Sequence, residues 1–246
     1  MDASVLRKRF EQSKLSEHVS YFERLVRPAI DVEVFDSDIV LGASKLGGAP
    51  DLPEDSRWPV SEHGPYRFLA QIDCRDLPDV GAGLPTAGLL SLFVGESADG
   101  EFFWQDPGFV RAELIPDGTR LVSMPAPEAV ARGEARTIRF RAAIDIPQDE
   151  EQASDWPFDD MNYEFGEEYT RIRKSLHLGT HYLLGYPSHC SLAYDPTPGP
   201  AWTSLLNLAS DDELNWDWHD GDYLMAFIER DRLARGDFSN VASDAG

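Results

Sequence analysis

One pattern occurs twice along this chain, and it limits the fold more than any single motif does. A Gly-Pro turn, an apolar strand interrupted by an amide, an acidic turn and a second apolar strand occupy 46–94 and recur over 184–228. The first copy reads Leu46-Gly47-Gly48-Ala49-Pro50, Phe68-Leu69-Ala70-Gln71-Ile72-Asp73 and Gly88-Leu89-Leu90-Ser91-Leu92-Phe93-Val94. The second reads Leu184-Gly185-Tyr186-Pro187, Leu205-Leu206-Asn207-Leu208-Ala209 and Gly221-Asp222-Tyr223-Leu224-Met225-Ala226-Phe227-Ile228. Two copies of a unit this long predict an internal duplication of two β-rich halves, not a solenoid.

Periodicity places the remaining parts. Val5, Leu6, Phe10, Leu15, Val19, Phe22, Leu25 and Val26 recur at helical spacing, which predicts one or two amphipathic helices over 3–27, with Ser16 capping the second and Pro28 ending it. Ile30, Val32 and Val34 alternate with polar neighbours as in a half-buried strand. Strands are expected at Tyr66–Asp73, Leu89–Val94, Val110–Ile115 and Ile138–Ile146, and a helix at Asp159–Leu176 whose apolar face is Met161, Phe165, Tyr169 and Ile172. Its acidic start and its basic end at Arg171, Arg173 and Lys174 suit the helix dipole. The class is therefore α+β and sheet-rich. The organisation is an N-terminal helical segment (1–28), a first half (29–146), an acidic linker (147–157) too poor in apolar surface to order itself, and a second half (158–246), forming one compact unit.

Charge is the second constraint. Against 22 Lys and Arg stand 44 Asp and Glu, a formal charge of -22, and no cation occurs from Ser175 through Glu229. Such a field repels phosphate backbones, which argues against nucleic acid and for a basic protein partner. Solvation alone is the competing explanation of the same residues. Charged residues interrupt the apolar N-terminal stretch and no segment reaches the length of a membrane span, so a cytoplasmic protein is expected, with no membrane association and with oligomeric state left open. Cys74 and Cys190 are read as reduced, buried and inert.

Catalytic motifs fail on inspection. The glycines at 81, 83 and 88 make no dinucleotide fingerprint, and no phosphate loop or nucleophile elbow is present. No cofactor is expected. His177 and His181 have the spacing of two ligands on one helical face, but the glutamate of a zinc protease is missing and Gly179 weakens the helix, so no metal is expected either. In Asn215-Trp216-Asp217-Trp218-His219, alternation puts amide, carboxylate and imidazole on one face if the segment is extended. A solvated acidic turn over two packed indoles explains the same residues. Gly221 then turns the chain into the last core strand. Trp58 and Trp104 supply apolar area for pinning the Gly-Gly-Ala-Pro loop.

The run Ser44-Lys45-Leu46-Gly47-Gly48-Ala49-Pro50-Asp51-Leu52-Pro53, with Trp58-Pro59 and Phe68-Leu69-Ala70-Gln71-Ile72, resembles the opening signature of the YwqG-like family, domain of unknown function 1963. Leu184-Gly185-Tyr186-Pro187, Trp218-His219-Asp220-Gly221-Asp222, Asp231-Arg232-Leu233 and Gly236-Asp237-Phe238-Ser239-Asn240-Val241 resemble its closing signature. The resemblance implies a mixed, sheet-rich cytoplasmic bacterial protein with no catalytic residues to carry over, and it makes room for an immunity role against a secreted toxin. The chain departs from the family at Ser188-His189-Cys190-Ser191, where relatives often continue with a glutamine-containing segment.

Gln71, Asp73, Asn207, Asp217, Trp218, His219, Asp220 and Asp222 are the candidate binding residues. Gln71 and Asn207 interrupt apolar strands, and a buried amide without partners costs about 1–3 kcal/mol. They either satisfy loop backbone, one in each half, or face a groove between the halves. The function expected is a non-catalytic interaction module. The alternative is a hydrolase or metal-dependent enzyme using Asp217, His219 and His181, with its site between the halves.

Overall fold

The computed structural model describes residues 3–35, 37–96, 100–131, 133–158 and 163–246. In chain order the elements are α1 (Ala3–Glu11), α2 (Val19–Leu25), β1 (Arg27–Phe35), β2 (Lys45–Leu46), β3 (Asp51–Pro53), β4 (Val60–Ser61), β5 (Gly64–Pro65) and β6 (Arg67–Asp73). Next come β7 (Leu89–Val94), β8 (Val110–Ile115), β9 (Leu121–Ser123), β10 (Arg136–Asp145) and α3 (Tyr163–Lys174). The chain closes with β11 (Tyr182–Leu184), β12 (Trp202–Ala209), β13 (Tyr223–Glu229), α4 (Arg230–Ala234) and β14 (Val241–Ala245).

Ten strands form one sheet in the order β14-β13-β12-β11-β1-β10-β2-β6-β7-β8. Each neighbour runs antiparallel to the next. The long pair β1 and β10 is the spine, with Arg27 opposite Asp145 and Phe35 opposite Thr137. One arm, β2-β6-β7-β8, extends from β10, and the other, β11-β12-β13-β14, extends from β1. The sheet curls until the edge strands β8 and β14 lie against each other. A single apolar core therefore draws Leu69 and Leu92 from one arm and Leu205 and Ile228 from the other. No ladder joins these two strands, but their proximity covers the sheet's edges, which are the template for unwanted pairing.

The arms match in detail. In each, the second strand carries a register irregularity, between Phe68 and Ala70 in β6 and between Ser204 and Leu206 in β12. The amide follows within a few residues, as Gln71 and Asn207. Before each amide strand the chain turns through two successive left-handed residues, Gly47 and Gly48 in one arm and Leu184 and Gly185 in the other. A Cβ on Gly47 would sit 2.5 Å from the Glu134 carbonyl oxygen, and one on Gly185 would sit 2.9 Å from Asp145 Oδ2, so both positions need glycine for space as well as for φ.

A second core lies beside the sheet. Phe10 and Phe22 stack at 4.7 Å, and Tyr169 of α3 packs on both, so the helices cover one another through aromatic rings. Several expectations need correction here. Val5 is exposed, because α1 is short and its buried stripe is only Leu6 and Phe10. Ser16 opens a 3-10 turn instead of capping α2, whose cap is His18 with no side-chain bond. The strand expected to alternate is buried at four consecutive positions, Ala29 to Val32, because Ile30 and Val32 join the core while on the other face Asp31 is covered by Arg141 and the Gly179 amide. The segment 147–157 is ordered despite its charge. Gln152 is buried and bonds the Gln148 amide and the Pro187 carbonyl, while Trp156 packs edge-on against Phe22 and Tyr169. Of the helical face expected around Met161, Phe165, Tyr169 and Ile172 pack inward, while Met161 and the acidic start at 159–160 lie outside the described residues.

Candidate functional site

Gln71 and Asn207 are both fully buried, and each sews its Gly-Pro turn to the sheet. Gln71 Oε1 accepts from the Asp51 amide at 2.9 Å, and Asn207 Oδ1 accepts from the Ser188 amide at 3.2 Å. In both cases the donor is the residue after the turn proline. Gln71 Nε2 donates to the Ala43 carbonyl and to Asp51 Oδ2; Asn207 Nδ2 donates to Ser204 Oγ and, at 3.5 Å, to the Leu184 carbonyl. These amides satisfy the protein's own backbone on interior strands. Around Gln71 the network includes a buried ion pair, Lys45 Nζ to Asp51 Oδ2 at 3.1 Å, and Asp51 Oδ2 also accepts from the Gly42 amide. Asp73 belongs to a different part of the first arm: its carboxylate accepts from the Arg75 amide and pairs with the Arg75 guanidinium, which holds its pKa below the ordinary carboxylate value.

The other candidates gather on the loop from Ser210 to Asp222 that joins β12 to β13. Asp211 and Trp216 exchange both backbone hydrogen bonds at 2.9 Å, and Asp211 Oδ1 accepts from the Glu213 and Leu214 amides. Ser210 Oγ accepts from the Trp218 amide and donates to the Asp222 carbonyl. Arg67 Nη2 reaches across from β6 to the carbonyls of Leu214 and Asn215, at 2.9 and 2.6 Å, tying the loop to the opposite arm. Beneath lie the buried rings of Trp216 and Trp218, 5.9 Å apart. The loop is thus pinned, and Asp212, Asp217 and Asp220 project from it exposed. Asp217 Oδ1 accepts only from the Gly221 amide in its own turn.

This segment is not extended. Asn215, His219 and Asp220 all have positive φ, so the amide, carboxylate and imidazole do not share a strand face. Gly221 does precede a core strand, β13, but β14 is the last. His219 instead meets Ser191, with Nδ1 3.3 Å from Ser191 Oγ, and lies edge-on to Trp104 of the first half at 5.6 Å. Trp104 therefore packs against this loop, while Trp58 donates to the Tyr66 carbonyl and packs on Phe93. Asp222 is buried below: its carboxylate accepts from the Cys190 amide and from Ser191 Oγ. The hydroxyl stands between imidazole and carboxylate. In a nucleophilic triad the imidazole stands in the middle, so this order is not a triad, and a proton taken from the hydroxyl would pass to an imidazole with no carboxylate behind it.

His177 and His181 do not share a helix. The helix ends at Lys174 and His177 has φ of 53°, whereas His181 is buried just before β11. His181 Nδ1 accepts from the Ala209 amide, its ring is edge-on to Trp216, and burial pushes its pKa down, with Asp211 opposing. Among the described residues no group of three or more His, Cys, Asp or Glu is arranged to hold a metal ion, and no helix is long and apolar enough to cross a membrane. The thiols differ. Cys74 is buried and pushed up to about 11 by desolvation; Cys190 is exposed, contrary to expectation, because it lies in a loop above Asp222. Its thiol is raised too, first by partial burial and then by that carboxylate.

Sequence reasoning missed several residues that build this site. Arg67, Ser191, Gln105, Tyr194 and Asp244 stand out, the last three forming a small network in which Gln105 and Tyr194 both donate to Asp244. Only Ser191 carried a signal, as part of the segment at which the family pattern is broken. A family model described as a domain of unknown function (DUF1963) matches residues 44–245. No curated protein matches the chain.

Proposed function

The chain belongs to the DUF1963 family, and from that premise we propose that it is a non-catalytic protein-interaction module that docks a basic partner on the loop from Ser210 to Asp222. The observation that carries this reading is the rigidity of an anionic loop. Asp212, Asp217 and Asp220 are exposed on a backbone fixed by Arg67 and two buried indoles, in a stretch without Lys or Arg. Fixed like charges are costly to hold unless something meets them, and a rigid presentation loses little entropy on association. An immunity protein covering a basic toxin surface is the specific form that the family resemblance suggests. The matched arms support the further reading that one ancestral half was duplicated.

A pull-down at low and high salt compares the natural chain with a triple variant, Asp212→Asn, Asp217→Asn and Asp220→Asn. The expected result is a protein retained at low salt, released as salt rises, and lost by the variant. Equal retention by the variant, or indifference to salt, removes the proposal.

A hydrolase with its site between the halves is the second reading. Its specific support is the contact of Ser191 with His219, next to Trp104 from the first half. Generic esterase and phosphatase substrates, together with metal analysis, test it. Turnover abolished by Ser191→Ala would establish it over docking.

A further inference from the structure

A cleft of about 310 Å³ opens where β1, β11, β12 and α4 meet the loop that carries Gly81 and Ala82. It differs from the surrounding surface in charge. Arg27 and Arg230 line it and no carboxylate does, on a chain with twice as many acids as bases. The groove beside α3, by contrast, sets Asp149, Glu150, Glu151 and Glu167 against Arg171 and Lys174. Among the described residues neither Arg27 nor Arg230 has a carboxylate within ion-pair distance, the buried Asp145 being felt by Arg27 only at longer range, whereas Arg67, Arg75, Arg139, Arg141 and Arg232 each have one.

The cleft is also built. The Arg27 guanidinium lies 3.7 Å from the centre of the Tyr186 ring, which fixes its position, and the Tyr186 hydroxyl is fixed in turn by the Leu25 carbonyl. The Arg230 amide donates to the Ala201 carbonyl at 2.9 Å, setting the start of α4. Leu184, a non-glycine residue at φ of 63°, forms part of the wall, and the matching position in the other arm is Gly47. Backbone strain at a non-glycine residue is kept where something needs the side chain there. Burial, and then the charge of Arg27, lower the pKa of Arg230, as two cations crowd one space.

We propose that this cleft binds a small organic anion, its carboxylate or phosphate held by Arg27 and Arg230 and its apolar body lying against Pro28, Ala82, Leu184 and Leu233. Paired guanidiniums recognise planar or tetrahedral oxyanions through charge-assisted hydrogen bonds. The apolar walls favour an organic anion over a bare inorganic ion.

Calorimetric titration of the full chain with benzoate, phenyl phosphate and inorganic phosphate tests this. Benzoate or phenyl phosphate is expected to bind more tightly than inorganic phosphate, and Arg230→Gln to weaken that binding at least about tenfold. Arg57→Gln, at an exposed arginine elsewhere, should leave it unchanged. Because Arg27 also packs on Tyr186, the exposed Arg230 carries the test, and Ala82→Leu, which fills the cleft, supplies a second readout with the same expected loss. Absence of binding by both organic probes, inorganic phosphate binding as tightly as phenyl phosphate, or undiminished affinity in Arg230→Gln would each overturn the proposal.

Discussion

The two arms secure their Gly-Pro turns by the same bond and surround it with different chemistry. In the first, Gln71 shares the Asp51 carboxylate with Lys45 and the Gly42 amide, so a charged network is closed off from water. In the second, Asn207 donates only to a serine hydroxyl and a carbonyl, and the buried carboxylate of that turn, Asp145, accepts from the Tyr186 amide and faces Arg173 instead. A buried charge depends on each of its partners, whereas a neutral network can lose one at the cost of one unsatisfied group. Loss of the amide should accordingly cost more in the first arm, where it touches the buried carboxylate directly.

Removing the cation should have the largest effect. Lys45→Met leaves the Asp51 carboxylate buried without its counter-ion and should lower stability by about 3–5 kcal/mol in urea titration. A loss no larger than that of an exposed substitution would show that the two arms are equally tolerant. The amides come next. Gln71→Leu and Asn207→Leu each orphan a turn amide, a cost of about 1–3 kcal/mol, and Gln71→Leu should be the larger because it also strips a donor from Asp51. The reverse order would place the more demanding network in the second arm. Least affected is reactivity of the two thiols, one in each half. Iodoacetamide on the folded chain should label Cys190 and not Cys74, and slowly, because partial burial and then Asp222 hold the Cys190 thiol above its ordinary pKa. Asp222→Asn should speed that labelling at a fixed pH. Modification of Cys74 without denaturant would mean that the first arm opens.

Periodic features of this molecule are readable from its residues, and the exceptions share a cause. The strand and helix positions follow from local apolar spacing, and Gln71 and Asn207, which interrupt apolar strands, are buried and bond loop backbone together with Asp51 and Ser204. What local spacing does not carry is the left-handed backbone of ordinary residues. Asn215, His219 and Asp220 turn where alternation predicts extension, and His177 turns where a helical pair is expected. These conformations are stabilised by distant groups, such as Arg67 capping the carbonyls of Leu214 and Asn215, and a pairing across 147 positions leaves no trace in a window of ten. Ser191 lies beside His219 for the same reason. The ordering of 147–157 likewise depends on Trp156 finding Phe22, far back along the chain.

The position of β1 has a consequence for synthesis. β1 is the spine of the sheet, yet its two neighbours, Arg136–Asp145 and Tyr182–Leu184, both lie far downstream of it. Until β11 has been made, Ala29, Ile30 and Val32 have no flanking strand on one side, and such unpaired apolar edges are prone to stray association. The first arm can zip locally from hairpin to hairpin while translation continues. Completion of the spine is a long-range event, and pairings of that separation are the slow ones to form.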